Sequence, residues 1–365
     1  MTPLPPTGAT PPVPVNPSVP VPSAAGGLRL GMSFAGGLQL SAEAVNHALD
    51  DALAVGVGWI RLDLPWDAIQ PASPNSFDWS AFDAIVAAVN QRHMAMLPVL
   101  QYTPIWARAP GCGASDHCRP ADPDRFAAFA AAAARRYAPL GVHDWEIWNE
   151  PNTSGAWKPK PDPAGYAALT RAASQAINAA DASAIVISGG LAPSATVAGD
   201  LSQLDFLTGF AQAGGLSAVD AVGYHPYSYP APPGYYADWS GWSQISDAPK
   251  NMKATLASLG FPDMKIWATE YGAPTNGPGA GATPTNYQIG HNPDHVDEAL
   301  QAQMATQSVQ LAKKSPVIAA LFWYTETDAG NSTSDRENFF GLRRSDGSEK
   351  PAYATLAQAI AAARR

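Results

Sequence analysis

A closed parallel (β/α)8 barrel with extended βα loops is the fold the sequence predicts, and three observations predict it. From residue 28 onward, short apolar or β-branched runs alternate with longer, Ala-rich helical stretches. The alternation repeats eight times in a chain of 365 residues, and eight β-then-α units close a barrel, with loop insertions taking up the excess over the usual ~250 residues. A doubly wound sheet would want a phosphate-type glycine turn after the first strand, and Gly31, Gly36 and Gly37 lack that spacing.

The first 26 residues stand outside the pattern. Nine of the first 22 are proline, interleaved with Val, Thr and Ala, a composition that makes an extended tether rather than a packed domain. Such a tether commonly follows a removed export segment. The expectation is a secreted or envelope-associated bacterial protein, with residues 27–365 forming one domain.

Strands are expected at 28–34, 57–64, 94–101, 144–149, 184–189, 219–225, 264–270 and 317–324, each an apolar or β-branched run of strand length. Helices are expected at 41–54, 80–91, 122–137, 163–179, 202–213, 247–259, 295–313 and 351–363. Ser41, Ser80, Asp122 before Pro123 and Asp162 before Pro163 are read as their N-caps.

Hydrophobic residues make up 46% and charged residues 15%, which excludes general disorder and supplies a large core. The net charge of -9 gives no basic field for nucleic acid or anionic membrane, so a neutral or cationic partner is favoured. No apolar stretch is long enough to span a bilayer, and a monomer is expected. Cys112 and Cys118 are the two cysteines, close together in a segment rich in Gly, Pro and Asp, and a local disulfide suited to an oxidising compartment is the first reading. A zinc site from Cys112, His117 and Cys118 lacks a fourth ligand and the usual spacing.

In such a barrel chemistry belongs at the C-terminal ends of the strands. Two of the eight glutamates stand there, Glu150 after strand four and Glu270 ending strand seven. Carboxylates on opposite walls of one mouth can flank a bond, one donating a proton and the other acting as nucleophile or base, and aromatic surroundings raise the pKa of one of them.

The run Trp145-Glu146-Ile147-Trp148-Asn149-Glu150-Pro151-Asn152 resembles the acid/base strand of the clan A retaining glycoside hydrolases. Arg61 on strand two, His225-Pro226-Tyr227 after strand six, Trp323 on strand eight and the ending Phe340-Gly341-Leu342 are similar to members of families 39 and 5. The resemblance covers about residues 28 to 363. It implies a retaining hydrolase of β-linked glycans that needs no cofactor or metal, with Glu150 as acid/base and Glu270 as nucleophile. It also implies that Arg61 and Tyr227 favour the ionised Glu270, Asn149 binds the sugar 2-hydroxyl, His225 orients its neighbours or touches Glu150, and Trp323 floors the subsite. Arg61 could instead pair with Asp63 or Glu146, and His225 could be a core histidine. Among the loop aromatics Trp66 and Trp157 are singled out for contact with sugar.

An endo-acting enzyme on a polysaccharide is the reading, with an exo-acting β-glycosidase, a transglycosylase or a non-catalytic carbohydrate-binding protein as rivals. Which glycan is cleaved depends on loops 102–121, 152–162, 226–246 and 272–294. The glycines from Gly277 to Gly281 are read as a loop, because no helix opens there and no P-loop lysine follows. His291 and His295 are read as loop and helix-start residues rather than metal ligands. No Gly-x-Ser-x-Gly elbow occurs.

Overall fold

The computed structural model describes residues 27–34, 41–287 and 293–365. The Pro-rich tail, Gly36, Gly37 and His291 lie outside the described residues. The first half of the chain runs β1 (Arg29–Ser33), α1 (Ala42–Val55), β2 (Trp59–Pro65), α2 (Trp66–Ile69), α3 (Ser80–Gln91), β3 (Ala95–Gln101), α4 (Pro123–Tyr137), β4 (Asp144–Ile147) and α5 (Pro163–Ala180). The second runs β5 (Ile185–Leu191), α6 (Gln203–Gln212), β6 (Ala221–Tyr224), α7 (Ser243–Ser246), α8 (Met252–Ser258), β7 (Lys265–Tyr271), α9 (Glu298–Lys314), β8 (Ile318–Tyr324) and α10 (Pro351–Ala363). Each strand pairs in parallel with the next, and β8 pairs with β1, so the sheet closes.

All eight expected strands form, and three of the four expected N-caps hold. Ser41, Asp122 and Asp162 each accept a hydrogen bond from a backbone N–H of the first turn. Ser80 does not cap. It is the first helical residue of α3, and the carboxylate of Asp78 takes both its N–H and its hydroxyl. The stretch expected as one helix over 247–259 begins only after Asn251, whose side chain caps α8 at Ala254. Asp297 caps α9, so His295 precedes that helix and is buried beside Asp294.

Alternation along each strand sends one set of side chains into the barrel and the other under the helices. The inward set at the bottom is Trp59, Ala95, Leu97, Ile187, Ala221, Trp267, Ala320 and Phe322. Trp59 stands edge-on to Trp267 at 6.0 Å, Trp267 stacks on Phe322 at 6.4 Å, and the Arg29 guanidinium lies over both indoles. Gly31 is required here, since a Cβ would meet the Phe322 ring at 2.3 Å. Apart from Arg29, this filled floor is apolar, and the inward polar side chains of the site lie in the layers above it. The outward set packs under the helices as one continuous apolar cluster.

Candidate active site

Arg61, inward on β2 one layer above Trp59, organises the middle of the barrel. It is 3% exposed. Its Nε and Nη2 fork the two carboxylate oxygens of Glu146 at 2.7 and 3.1 Å. Its Nη1 donates to Glu270 Oε1 at 2.6 Å and to Ser33 Oγ at 3.0 Å, while Nη2 also reaches Asn149 Oδ1 at 2.8 Å. One guanidinium thus joins β1, β2, β4 and β7, and both anticipated roles are present, a buried pair with Glu146 and a contact with Glu270. Burial works against its charge, but Glu146 and Glu270 outweigh that and hold its pKa above the ordinary value.

Two local irregularities aim the glutamates. After β4, Trp148 (φ 68°) and Glu150 (φ 45°) adopt left-handed backbone, which departs from strand alternation where Asn149 and Glu150 meet the mouth. Each such residue costs on the order of 1–3 kcal/mol and persists only where its surroundings fix it. On β7 the pairing with β8 skips a residue between Ala268 and Tyr271. That bulge lets consecutive residues face inward, Thr269 donating to Glu146 Oε1 and Glu270 reaching Arg61.

His225 links the two carboxyls. It is wholly buried, and its Nδ1 lies 3.0 Å from Glu150 Oε1 and 3.6 Å from Glu270 Oε2. Laid end to end, those distances bound the oxygen separation well below the roughly 9 Å of a widely spaced pair. Nε2 has no hydrogen-bond partner among the described residues. A bare lone pair is cheaper there than a bare N–H, which assigns the proton to Nδ1. Gly190 makes room for this ring: a Cβ would come within 2.1 Å of Nε2. Tyr227 donates its hydroxyl to Glu270 Oε2 at 2.8 Å. Burial would raise the pKa of Glu270, but the His225 ring nitrogen beside it, the Arg61 charge and the Tyr227 hydrogen bond bring it below the ordinary carboxylate value. Burial and the charge of Glu270 push Tyr227 well up, so it stays a donor.

The structure gathers Arg61, Asn149, Glu150, His225, Tyr227 and Glu270 into one mouth, but not the three tryptophans. Trp66 is fully buried, stacked on Phe129 with its Nε1 donating to Gln70. Trp157 is 1% exposed and stands edge-on to Trp148 and Tyr166. Both belong to the packing under their own loops, which corrects the expectation of sugar contact. Trp323 has the wrong parity: Ala320 and Phe322 face inward, so Trp323 faces outward against the helix layer and Tyr271. The inward residue at the end of β8 is Tyr324, half-buried near Glu270. Cys112 and Cys118 are disulfide-bonded, with Cα atoms 5.4 Å apart, as expected.

Other residues complete the site: Glu146 holds Arg61, as the sequence reading allowed, and Ser33, which that reading missed, lies under its Nη1. Tyr227, Tyr229 and Tyr324 each stand edge-on to Phe340, which makes an aromatic wall beside Glu270. Asp63, the next inward residue above Arg61, accepts from Gln101 Nε2 at 2.5 Å and from the Tyr102 hydroxyl at 3.1 Å. Burial pushes its carboxyl up to about 6. Strand parity on β2 and β8 was the signal for Asp63 and Tyr324. Away from the mouth, His47, Asp51 and Glu326 hold three potential ligand atoms within 4.8 Å, but Arg343 already forks Asp51 there.

No family model matches this sequence, and no curated protein matches it. Solved structures do. A family 39 glycoside hydrolase from the gut symbiont Bacteroides cellulosilyticus is 22% identical over 92% of this chain, with a TM-score of 0.66, and this chain spans 63% of its length. A family 39 β-xylosidase from Caulobacter crescentus is 21% identical over 92% of this chain and 70% of its own, with a TM-score of 0.62. A triple mutant of an endo-β-1,4-glucanase from Xanthomonas axonopodis is 16% identical over 91% of this chain and 99% of its own, with a TM-score of 0.60. In its fold, this chain is similar to the (β/α)8 barrels of family 39 and family 5 glycoside hydrolases.

Proposed function

We propose that this protein is a retaining glycoside hydrolase that cleaves β-glycosidic bonds in a polysaccharide. The observation that carries the reading is the carboxyl pair of Glu150 and Glu270 on one His225 nitrogen, with Glu270 held ionised by Arg61 and Tyr227. A short separation suits double displacement, because no water need fit between carboxyl and sugar in the first step.

Glu270 attacks the anomeric carbon as Glu150 passes its proton to the leaving oxygen, and a glycosyl ester forms on Glu270. Glu150, now a carboxylate, takes a proton from water, whose oxygen attacks the same carbon and frees Glu270. Asn149, fixed through Oδ1 by Arg61, has its amide N–H groups left to donate to the sugar 2-hydroxyl. Endo action is the finer part of the reading. Similar folds include a β-xylosidase and an endo-glucanase, so product size decides it. The disulfide supports an exported or envelope location.

The test pairs two variants on an activated aryl glycoside and on a panel of plant, fungal and bacterial polysaccharides. Glu270→Ala is expected to lose turnover on every substrate. Glu150→Ala should keep activity with good leaving groups and regain rate with azide, giving a β-glycosyl azide. Equal loss in both, without rescue, would reject the mechanism.

A further inference from the structure

Asp63 is a carboxylate that the double-displacement mechanism above does not use. It is half-buried at the mouth, inward on β2, and close enough to Glu270 and Arg61 for each to bear on its charge. Arg61 spends its donors on Glu146, Glu270, Ser33 and Asn149. Among the described residues no cation lies within ion-pair distance of Asp63. Its partners are neutral: Gln101 Nε2 on Oδ1 and Tyr102 Oη on Oδ2. A part-buried charge held by neutral donors alone is costly, and such groups gather where a ligand completes them.

The cradle around it is built. Tyr102 sits at φ 63°, a left-handed backbone unfavourable for a tyrosine, directly after β3. Its ring is edge-on to His117 at 5.2 Å, and His117 Nδ1 meets Asp116 at 2.8 Å. The disulfide between Cys112 and Cys118 closes the same loop. Each carboxylate oxygen accepts two hydrogen bonds, and one on each is taken, so Asp63 keeps one free acceptor position per oxygen. Two hydroxyls on adjacent sugar carbons match two oxygens of one carboxylate. An acidic sugar does not, since its carboxylate would meet that of Asp63, with Asp116 bearing on the same Tyr102 hydroxyl and Glu270 on Asp63 itself.

We propose that Asp63 is a specificity-determining residue of the subsite where the bond breaks, accepting hydrogen bonds from two neighbouring hydroxyls of a neutral sugar and excluding a sugar carboxylate. The proposal rests on the glycosidase reading above.

The experiment measures kcat/KM on 2,4-dinitrophenyl β-glycosides of glucose, mannose, galactose, xylose and glucuronic acid, then on the monodeoxy derivatives of the best. Asp63→Asn is expected to lose about 10–100-fold on the best sugar, the worth of hydrogen bonds to a charged acceptor. The loss should shrink to a few-fold on two deoxy derivatives with adjacent positions, and the glucuronide should be the wild type's poorest substrate. Tyr102→Phe, which removes one donor to Asp63 and leaves the carboxylate, should move the same two positions. An equal loss on every derivative, or a preferred glucuronide, overturns the proposal and leaves the glycosidase standing. Wild type and Glu270→Gln alike in turning over none of the glycosides and in releasing no reducing ends from the polysaccharide panel would remove both.

Discussion

A single guanidinium organises the charges at the mouth of the barrel. Arg61 faces the charges of Glu146 and Glu270, in a space where the Arg61 side chain is 4% exposed and that of Glu146 fully buried. Removing the cation leaves the carboxylates stranded, which typically costs about 3–5 kcal/mol. Lysine keeps the charge but cannot fork Glu146 while reaching Glu270 and Asn149. Arg61→Lys is therefore expected to fold with a modestly lower Tm and to lose at least about 100-fold in kcat, because Glu270 and Asn149 both lose their anchor. Thermal melting and steady-state kinetics read the two separately. A variant with unchanged kcat would mean that the Arg61 contacts serve the fold alone.

At the scale of elements, the loop between β3 and α4 is tied twice. The disulfide of Cys112 and Cys118 closes it on itself, and His117 and Arg119 exchange backbone hydrogen bonds with Lys158 in the loop after β4. Closing so small a ring stabilises by about 2 kcal/mol through the unfolded chain. Replacing both cysteines by serine should cost about that much in denaturant unfolding, with the loss concentrated as faster hydrogen exchange over residues 108–120. Uniform acceleration across the barrel would contradict a local tie.

The elements themselves were legible because apolar runs and Ala-rich stretches alternate without ambiguity, and caps such as Asp122 before Pro123 mark helix starts. The site was legible where chemistry shows in residue type: Glu150, Glu270, Arg61, Asn149, His225 and Tyr227 all reach one mouth. It was illegible where position turns on one residue of register. Trp323 and Tyr324 are neighbours, and strand parity alone puts the tyrosine inside. Trp66 and Trp157 failed for another reason, because large loop aromatics bury themselves as readily as they meet a ligand. The bulge that aims Glu270 leaves no mark in the sequence at all.

For the whole molecule, the end of β8 is fastened to α1 by a carboxyl pair with a distinct pH signature. Glu326 is 7% exposed beside Asp51, which Arg343 forks. Burial, and then Asp51, raise the Glu326 carboxyl from 4.5 to about 7. A carboxyl raised on folding holds a proton that the unfolded chain has released, so stability falls as pH climbs from about 4.5 through 7. Glu326→Gln should flatten that slope and melt higher than wild type at pH 8, while nearly matching it near pH 4.5. Parallel melting curves of the two proteins across this range would place the proton elsewhere.

Closure of the barrel has a consequence outside catalysis. With β8 laid against β1, each of the eight strands has a neighbour on both sides. No backbone ladder of this sheet is left open to recruit a strand from another molecule, so the barrel offers no template for edge-to-edge growth into fibrils. Concentrated protein can associate through side chains on its loops and helices, but aggregation by strand addition to this sheet must first break the ring.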